Sequence, residues 1–305
     1  MNEPYRIKTI TDLHQLAGVE GPNHPLVTLV RIEDVLTLGP QMPKSFIQEF
    51  YSVGFKKNLK GYIKYGRQTY DFQEGVLGFT SPHQLLSFEY SDASEATGWL
   101  LYFQEEFLAG SPLIKKIEEF GFFRYEVSEG LHLSKKEEEL INGIFENIFE
   151  EYTQSIDRFS KDVLLSNLEL LFTYSQRFYS RQFITRNQAD SHFLDRFQEH
   201  LNRYFNSEKL ANEGIPSVEY FAGQLNISSS YLSDMLKFLT GKTTKEHIHF
   251  KLIERAKERL LATDQTAAEI AYSIGFEYPQ YFNRLFKEKT GMTPKEYRKG
   301  FVKVE

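Results

Sequence analysis

A chain of 305 residues without cysteine, 41% apolar and 26% charged, cannot form disulfides, thiolate metal sites or a cysteine nucleophile, and is too apolar to be a disordered segment. Its length exceeds the usual single-domain size, so two domains are expected, and neither a membrane-spanning run of roughly 18 apolar residues nor the apolar core of a secretion signal is present, which places the chain in the cytoplasm. The formal net charge of −6 is unevenly spread: residues 191–305 hold 17 Lys and Arg against 15 Asp and Glu, whereas the preceding 190 residues hold 19 against 27.

Residues 26–103 contain short runs rich in aromatic and branched side chains, namely LVTLVRI, FIQEFY, GYIKYG, TYDF, LLSFEY and GWLLYF, separated by Gly, Pro, Asn, Asp and Ser. They predict the β-strands of a sandwich or barrel. From Ser111 to about residue 182 the pattern is helical, through 134–152 and 157–182, where Val163, Leu164, Leu168, Leu171 and Phe172 form a seam suited to a core or to a dimer face. The polar stretch TRNQADS at 185–191 is read as a linker. Residues 1–184 and 192–305 then form the two parts.

The second part is duplicated. YLSDMLKFLTGKTTKEHI at 231–248 aligns with YFNRLFKEKTGMTPKEYR at 281–298 at an offset of fifty, and FAGQLNI at 221–227 aligns with IAYSIGF at 270–276 at forty-nine. One residue has therefore been gained or lost in the turn, and a repeated structural unit is the simplest cause. In the second copy, Thr266 and Glu269 form a Thr-x-x-Glu capping box, Gly275 supplies a turn, Pro279 suits a first helical position and Gly291 ends the helix. Phe282, Leu285 and Phe286 share one face, with Gln280, Asn283, Arg284 and Lys287 on or near the other. The first copy has Ser217 and Ser228 as caps, Tyr231, Leu232, Met235, Leu236 and Leu239 as its apolar face, and Gly241 as its stop. Two helix-turn-helix units are predicted, at about 217–241 and 266–291.

Residues 244–262 read as one connecting helix, about 28 Å long at ~1.5 Å per residue. That length sets two reader helices roughly one turn of B-DNA, ~34 Å, apart. Bases cluster at Lys251, Arg255, Lys257 and Arg259, and again from Arg284 to Lys303, where they can neutralise phosphates.

Over residues 192–300 the sequence resembles the AraC/XylS family of transcriptional regulators. The resemblance is carried by Ala222, the YLS at 231–233, Gly241, Ala256, Leu260, the IA at 270–271, the GF at 275–276, the YF at 281–282, the FK at 286–287, Gly291, Thr293-Pro294 and Tyr297-Arg298. It implies that the second helix of each unit enters the major groove. The readers are then Ser229, Ser230, Ser233, Asp234 and Lys237 in the first unit, Gln280, Asn283, Arg284 and Lys287 in the second, with Lys251 where the family commonly has arginine. Gln280 and Asn283 suit adenine, Arg284 a guanine or a phosphate, and Lys287 the backbone. Asp234 is either repelled by phosphates or accepts from a cytosine amino group.

TYDFQEGVLGFTSPHQLLSF resembles the cupin-like barrel that precedes this domain in many family members. The expected fold class is α+β: an N-terminal cupin-like β-barrel with a helical extension, then an all-α domain with two helix-turn-helix units. The expected function is sequence-specific DNA-binding regulation. Its partners are double-stranded DNA, a small-molecule effector or a second copy at the N-terminal part, RNA polymerase if the protein activates, and no membrane. Alternatives are a ligand-binding or interaction module with degenerate readout, and a cupin-type enzyme. The enzyme reading is weakened because Met1–Phe103 has only His14, His24 and His83, without a His-x-His pair, while His247 and His249 face different ways on a predicted helix. No catalytic residue, metal or cofactor is assigned.

Overall fold

In a computed structural model, which describes residues 4–37, 43, 45–57, 59–62, 71–72, 75–87, 96–189 and 193–301, the chain forms two compact units, Met1–Gln182 and Phe183–Glu305. The first begins with β1 (Tyr5–Ile7), α1 (Ile10–Ala17), β2 (Val27–Arg31) and α2 (Ile32–Thr37). There follow β3 (Ser45–Gln48), β4 (Tyr51–Lys57), β5 (Leu59–Tyr62), β6 (Asp71–Phe72), β7 (Val76–Thr80), β8 (Leu85–Ser87) and β9 (Thr97–Phe103). Then come α3 (Leu113–Lys116), β10 (Leu131–His132), α4 (Lys135–Thr153) and α5 (Ser160–Ala189).

The strands pair as a five-stranded antiparallel sheet of order β10-β7-β4-β9-β2, a three-stranded sheet β1-β3-β8 and a two-stranded sheet β5-β6. The expected β-rich first part and helical last part are both present. Among the described residues, however, the sheets do not close on one another, because β5 and β6 pair only with each other and β1 joins β3 in parallel. A closed cupin-like barrel is therefore not seen. Parts of GYIKYG, TYDF and LLSFEY lie outside the described residues, as do residues 190–191 of the expected linker and Lys303.

Alternation along the central strands decides where the core lies. Val53 and Phe55 of β4 sit opposite Phe79 and Leu77 of β7 and opposite Leu101 and Trp99 of β9, so the middle of one sheet face is apolar, with Arg31 and Lys57 at its margin over the rings of Trp99 and Phe55. Helices α4 and α5 cover it. Phe145 stacks on Phe55 and Trp99 at 5.9 and 6.2 Å, and Phe172 meets Phe103 and Phe123 at 6.1 and 5.3 Å. The indole of Trp99 donates to Asn142 Oδ1 at 3.1 Å. Burial of each such ring stabilises by about 1.5–3 kcal/mol. Within the α5 seam Leu164, Leu168, Leu171 and Phe172 are buried in this core, while Val163 is exposed. α5 continues seven residues beyond the expected end at 182, since RQFITRNQA contains neither glycine nor proline to stop it.

The second unit comprises α6 (Phe193–Asn206), α7 (Lys209–Asn212), α8 (Val218–Leu225), α9 (Ser229–Thr240), α10 (Thr244–Ala262), α11 (Ala267–Ser273), α12 (Pro279–Thr290) and α13 (Pro294–Phe301). Every expected cap is in place. Ser217 and Ser228 accept from the amides of Tyr220 and Tyr231, Thr266 and Glu269 form the reciprocal box, Pro279 stands in the first turn, and Gly241 and Gly291 end their helices in the left-handed region. Each such cap is worth about 1 kcal/mol. The repeat identities recur as identical local bonds: Thr240 and Thr290 donate to the carbonyls of Leu236 and Phe286 at 2.8 and 2.7 Å. Thr243 with Glu246, and Thr293 with Glu296, cap the next helix in both copies.

α6 buries Phe193, Phe197, Leu201, Tyr204 and Phe205, and Phe197 and Tyr204 meet Phe221 and Tyr220 of α8 edge-on at 5.7 and 4.9 Å. In the second turn Gly275 has φ +89°, and a Cβ there would lie 2.9 Å from the Gly214 carbonyl carbon and 3.0 Å from Ile215 N and Leu210 O, all backbone. Gly275→Ala should therefore destabilise the second unit by about 1–3 kcal/mol, read as a lowered midpoint in denaturant unfolding followed by helical circular dichroism. An unchanged midpoint would mean that the turn does not pack against the α7–α8 loop as described.

Candidate nucleic-acid interface

The outward face of α12 is set by its buried anchors. Phe282 and Phe286 are fully buried, and Phe286 meets Tyr297 of α13 edge-on at 5.5 Å. With that stripe fixed inward, helical spacing puts Gln280, Asn283, Arg284 and Lys287 outward, and all four are exposed. Lys287 and Lys289 lie in the last turn, where cations favour the helix dipole; the Lys289–Glu288 contact at 3.0 Å is at the surface and worth little.

The corresponding face of α9 is less open. Tyr231, Leu232, Met235 and Leu236 are fully buried. Ser229, Ser230, Ser233 and Asp234 are partly buried, and only Lys237 of the expected set is exposed. The Ser233 hydroxyl donates to that of Thr244, the buried first residue of α10, at 3.2 Å. Its polar group is thus engaged within the protein.

Lys251 lies on α10, away from both reader helices in sequence, and is partly buried. Some of the bases that make the local charge clusters serve the fold. Arg255 donates to Asn206 Oδ1 at 3.3 Å and Lys257 to Glu254 at 2.8 Å. Arg298 spans from α13 to the carbonyls of Leu260 and Gln265 at 2.8 and 2.6 Å, tying off the C-terminal end of α10. His247 shares a hydrogen bond of 2.8 Å with Thr240 and lies edge-on to Phe197; burial, then Lys242, lowers its pKa. Burial, then Lys245 and Lys289, does the same for His249. Both rings are thereby held neutral near pH 7. Among the described residues no three His, Asp or Glu side chains converge as metal ligands.

Two residues of the α12 surface were not singled out by the sequence reasoning. Tyr278, at the N-cap, and Tyr281 are 54% and 51% exposed, and their rings meet edge-on at 5.9 Å. The Arg284 guanidinium lies 5.4 Å from the Tyr281 ring centre. The signal was available as aromatic residues three apart followed by an arginine three further on.

Residues 221–300 match the family of proteins described as a helix-turn-helix domain. An uncharacterized HTH-type transcriptional regulator in the cgkA 5' region of Pseudoalteromonas carrageenovora is 35% identical over 100 residues, covering 33% of this chain and 54% of that protein. The HTH-type transcriptional activator RhaS of Salmonella schwarzengrund is 22% identical over 275 residues, covering 87% of this chain and 92% of that one. The solved C-terminal domain of the two-component response regulator yesN from Fusobacterium nucleatum is 31% identical, with a TM-score of 0.31, covering 34% of this chain and 95% of that one. The chain spans about half or less of the length of the first relatives it matches. The match thus places a helix-turn-helix domain at residues 221–300, and the two relatives are described as HTH-type transcriptional regulators. Among the described residues no helix is long and apolar enough to cross a membrane.

Ser233→Ala should lower stability by about 1 kcal/mol in denaturant unfolding, because it deletes one partner of a hydrogen bond to a buried hydroxyl. No loss of stability would show that Ser233 is not committed to Thr244.

Proposed function

We propose that this protein is a cytoplasmic, sequence-specific DNA-binding transcriptional regulator. Residues 192–305 read double-stranded DNA, residues 185–191 link the parts, and residues 1–184 sense a small-molecule effector or pair two copies. The observation that carries the proposal is the duplicated helix-turn-helix with an exposed polar face on α12, where Gln280, Asn283, Arg284 and Lys287 stand over a buried Phe282 and Phe286. No catalytic role, metal or cofactor is proposed. RNA polymerase is a partner if the protein activates.

The two readers divide the work. α12 offers groups able to make paired contacts to base edges, whereas α9 offers short serines, Asp234 and Lys237, so α12 supplies more of the sequence preference. Supporting an effector role is the sheet face opposite the helices, where Gly54 pairs with Gly78; a Cβ built on Gly78 would meet nothing within 4 Å, while one on Gly54 would meet the side chains of Lys56 and Leu100 at 3.2 and 3.4 Å. Lys56 lies on that same face, its ammonium lowered to about 8 by burial. A barrel completed around this face would enclose such a site.

A 190–305 fragment is expected to fold as helix and to bind the sites used by the full chain; a folded fragment that bound none of them would sink the proposed division. Within the full protein, Asn283→Ala should cost about 1–3 kcal/mol of base discrimination in one half of the site. Lys287→Ala should weaken all sequences evenly and reduce the salt slope by about one. Asp234→Ala should strengthen nonspecific binding if the carboxylate is repelled, or erode specificity if it reads cytosine. Binding to a randomised-site library at two salt concentrations distinguishes these, and an Asn283→Ala protein with untouched affinity and preference would remove α12 from the groove. For the N-terminal part, thermal-shift screening should find a stabilising ligand or sedimentation should find concentration-dependent pairing; neither result would leave it without its proposed role.

A further inference from the structure

We infer that Tyr281 is a positioning residue for Arg284, and that this cation–π pair makes α12 selective for guanine at one base position. This rests on the reading of α12 as a major-groove helix. Residues three apart on a helix are surface neighbours, and the Arg284 guanidinium lies 5.4 Å from the centre of the Tyr281 ring, within reach of a cation–π contact. Tyr278 also meets that ring edge-on at 5.9 Å, with the two planes at 81°. Tyr281 thus contacts both Tyr278 and Arg284.

The chemistry follows from what an arginine needs in order to read a base. A free arginine side chain at an open helical position gives up rotamer entropy when it is fixed. A cation–π contact confines it beforehand and leaves N–H groups available for two-point contact with O6 and N7 of guanine. Among the described residues no carboxylate forms an ion pair with Arg284 that would compete for that edge.

The duplicated unit supplies an internal contrast. The repeat-equivalent Tyr231 is fully buried, and the residue three beyond it is Asp234 rather than arginine. A tyrosine at this position therefore serves the core in the first unit. In the second it is 51% exposed, while Phe282 and Phe286 hold the helix down. Replacing Tyr281 should leave the fold intact.

The test uses the full-length protein. Its preferred duplex is first recovered from a randomised library; then wild type, Tyr281→Phe, Tyr281→Ala, Arg284→Lys and Arg284→Ala are titrated on that duplex and on one with the guanine changed to adenine, at two salt concentrations. Discrimination should fall about 2- to 5-fold in Tyr281→Ala, persist in Tyr281→Phe, and be lost in Arg284→Lys although the charge remains. Unfolding midpoints and salt slopes should match wild type in these three variants. Full discrimination in Tyr281→Ala, or loss of it in Tyr281→Phe, overturns the inference. An Arg284→Ala protein that loses affinity evenly, with a salt slope lower by about one, makes Arg284 a phosphate contact and also overturns it, leaving the DNA-binding proposal standing. Failure of the wild type to select any site overturns that proposal and this inference with it.

Discussion

In each helix-turn-helix unit the second helix is aimed by one backbone hydrogen bond that a left-handed residue makes reachable. The amide of Ile227 donates to the Ala222 carbonyl at 3.1 Å and that of Phe276 to the Ala271 carbonyl at 3.0 Å. The residues just before them, Asn226 and Gly275, have φ of 54° and 89°. These are the geometry of a helix end closed on itself, and they drive the next apolar side chain, Ile227 or Phe276, into the core. From that fixed point the exit direction of the chain, and hence the outward face of α9 or α12, follows. The extra residue of the second copy, Glu277, lies after the bonded turn and before the Tyr278 N-cap, where it alters no turn bond. The same turn with two lengths of exit explains why the repeat offset changes by one between its two halves.

Downstream of the turn the copies diverge in what they present. α9 has more of its surface committed to the protein, with Ser233 bonded to Thr244 and Tyr231 fully buried, while α12 keeps its polar residues in solvent over two buried phenylalanines. A helix whose base-facing groups are free to pair contributes discrimination; one with short or internally bonded groups contributes mainly placement along the backbone. α10 fixes the separation between the two. Its N-terminal end is closed by Thr243 and Glu246, and its C-terminal end by Arg298 reaching back from α13, so the spacer is tied at both ends.

Local punctuation made the second unit legible in the sequence. The Thr266–Glu269 box read from the sequence is formed, because capping is a contact between residues three apart and needs no tertiary information, and the helix read at 244–262 appears with the same limits. Contacts that depend on packing were not legible. Nothing in a serine marks that its hydroxyl will meet Thr244 eleven residues on, and Tyr231 and Tyr281 look alike in the alignment although one is core and the other surface. A helical reading that stops at 182 is too short: TRNQA at 185–189 continues α5, since polar residues with adequate helix propensity do not end a helix unless a breaker is present. In the N-terminal unit the strands were readable from runs of aromatic and branched residues between turn formers, but sheet order is set by long-range pairing. The parallel β1–β3 pair and the isolated β5–β6 pair are choices that composition does not encode.

The central claim is that two turn-positioned helices on one rigid spacer enter successive major grooves on one side of the duplex. Guanine N7 lies in the major groove, so methylation interference on a bound site reports groove occupancy base by base. The account predicts two windows of interference about 10 base pairs apart, on the same face of the helix. The window assigned to α12 should be the stronger. A single window, or two on opposite faces of the duplex, would contradict it.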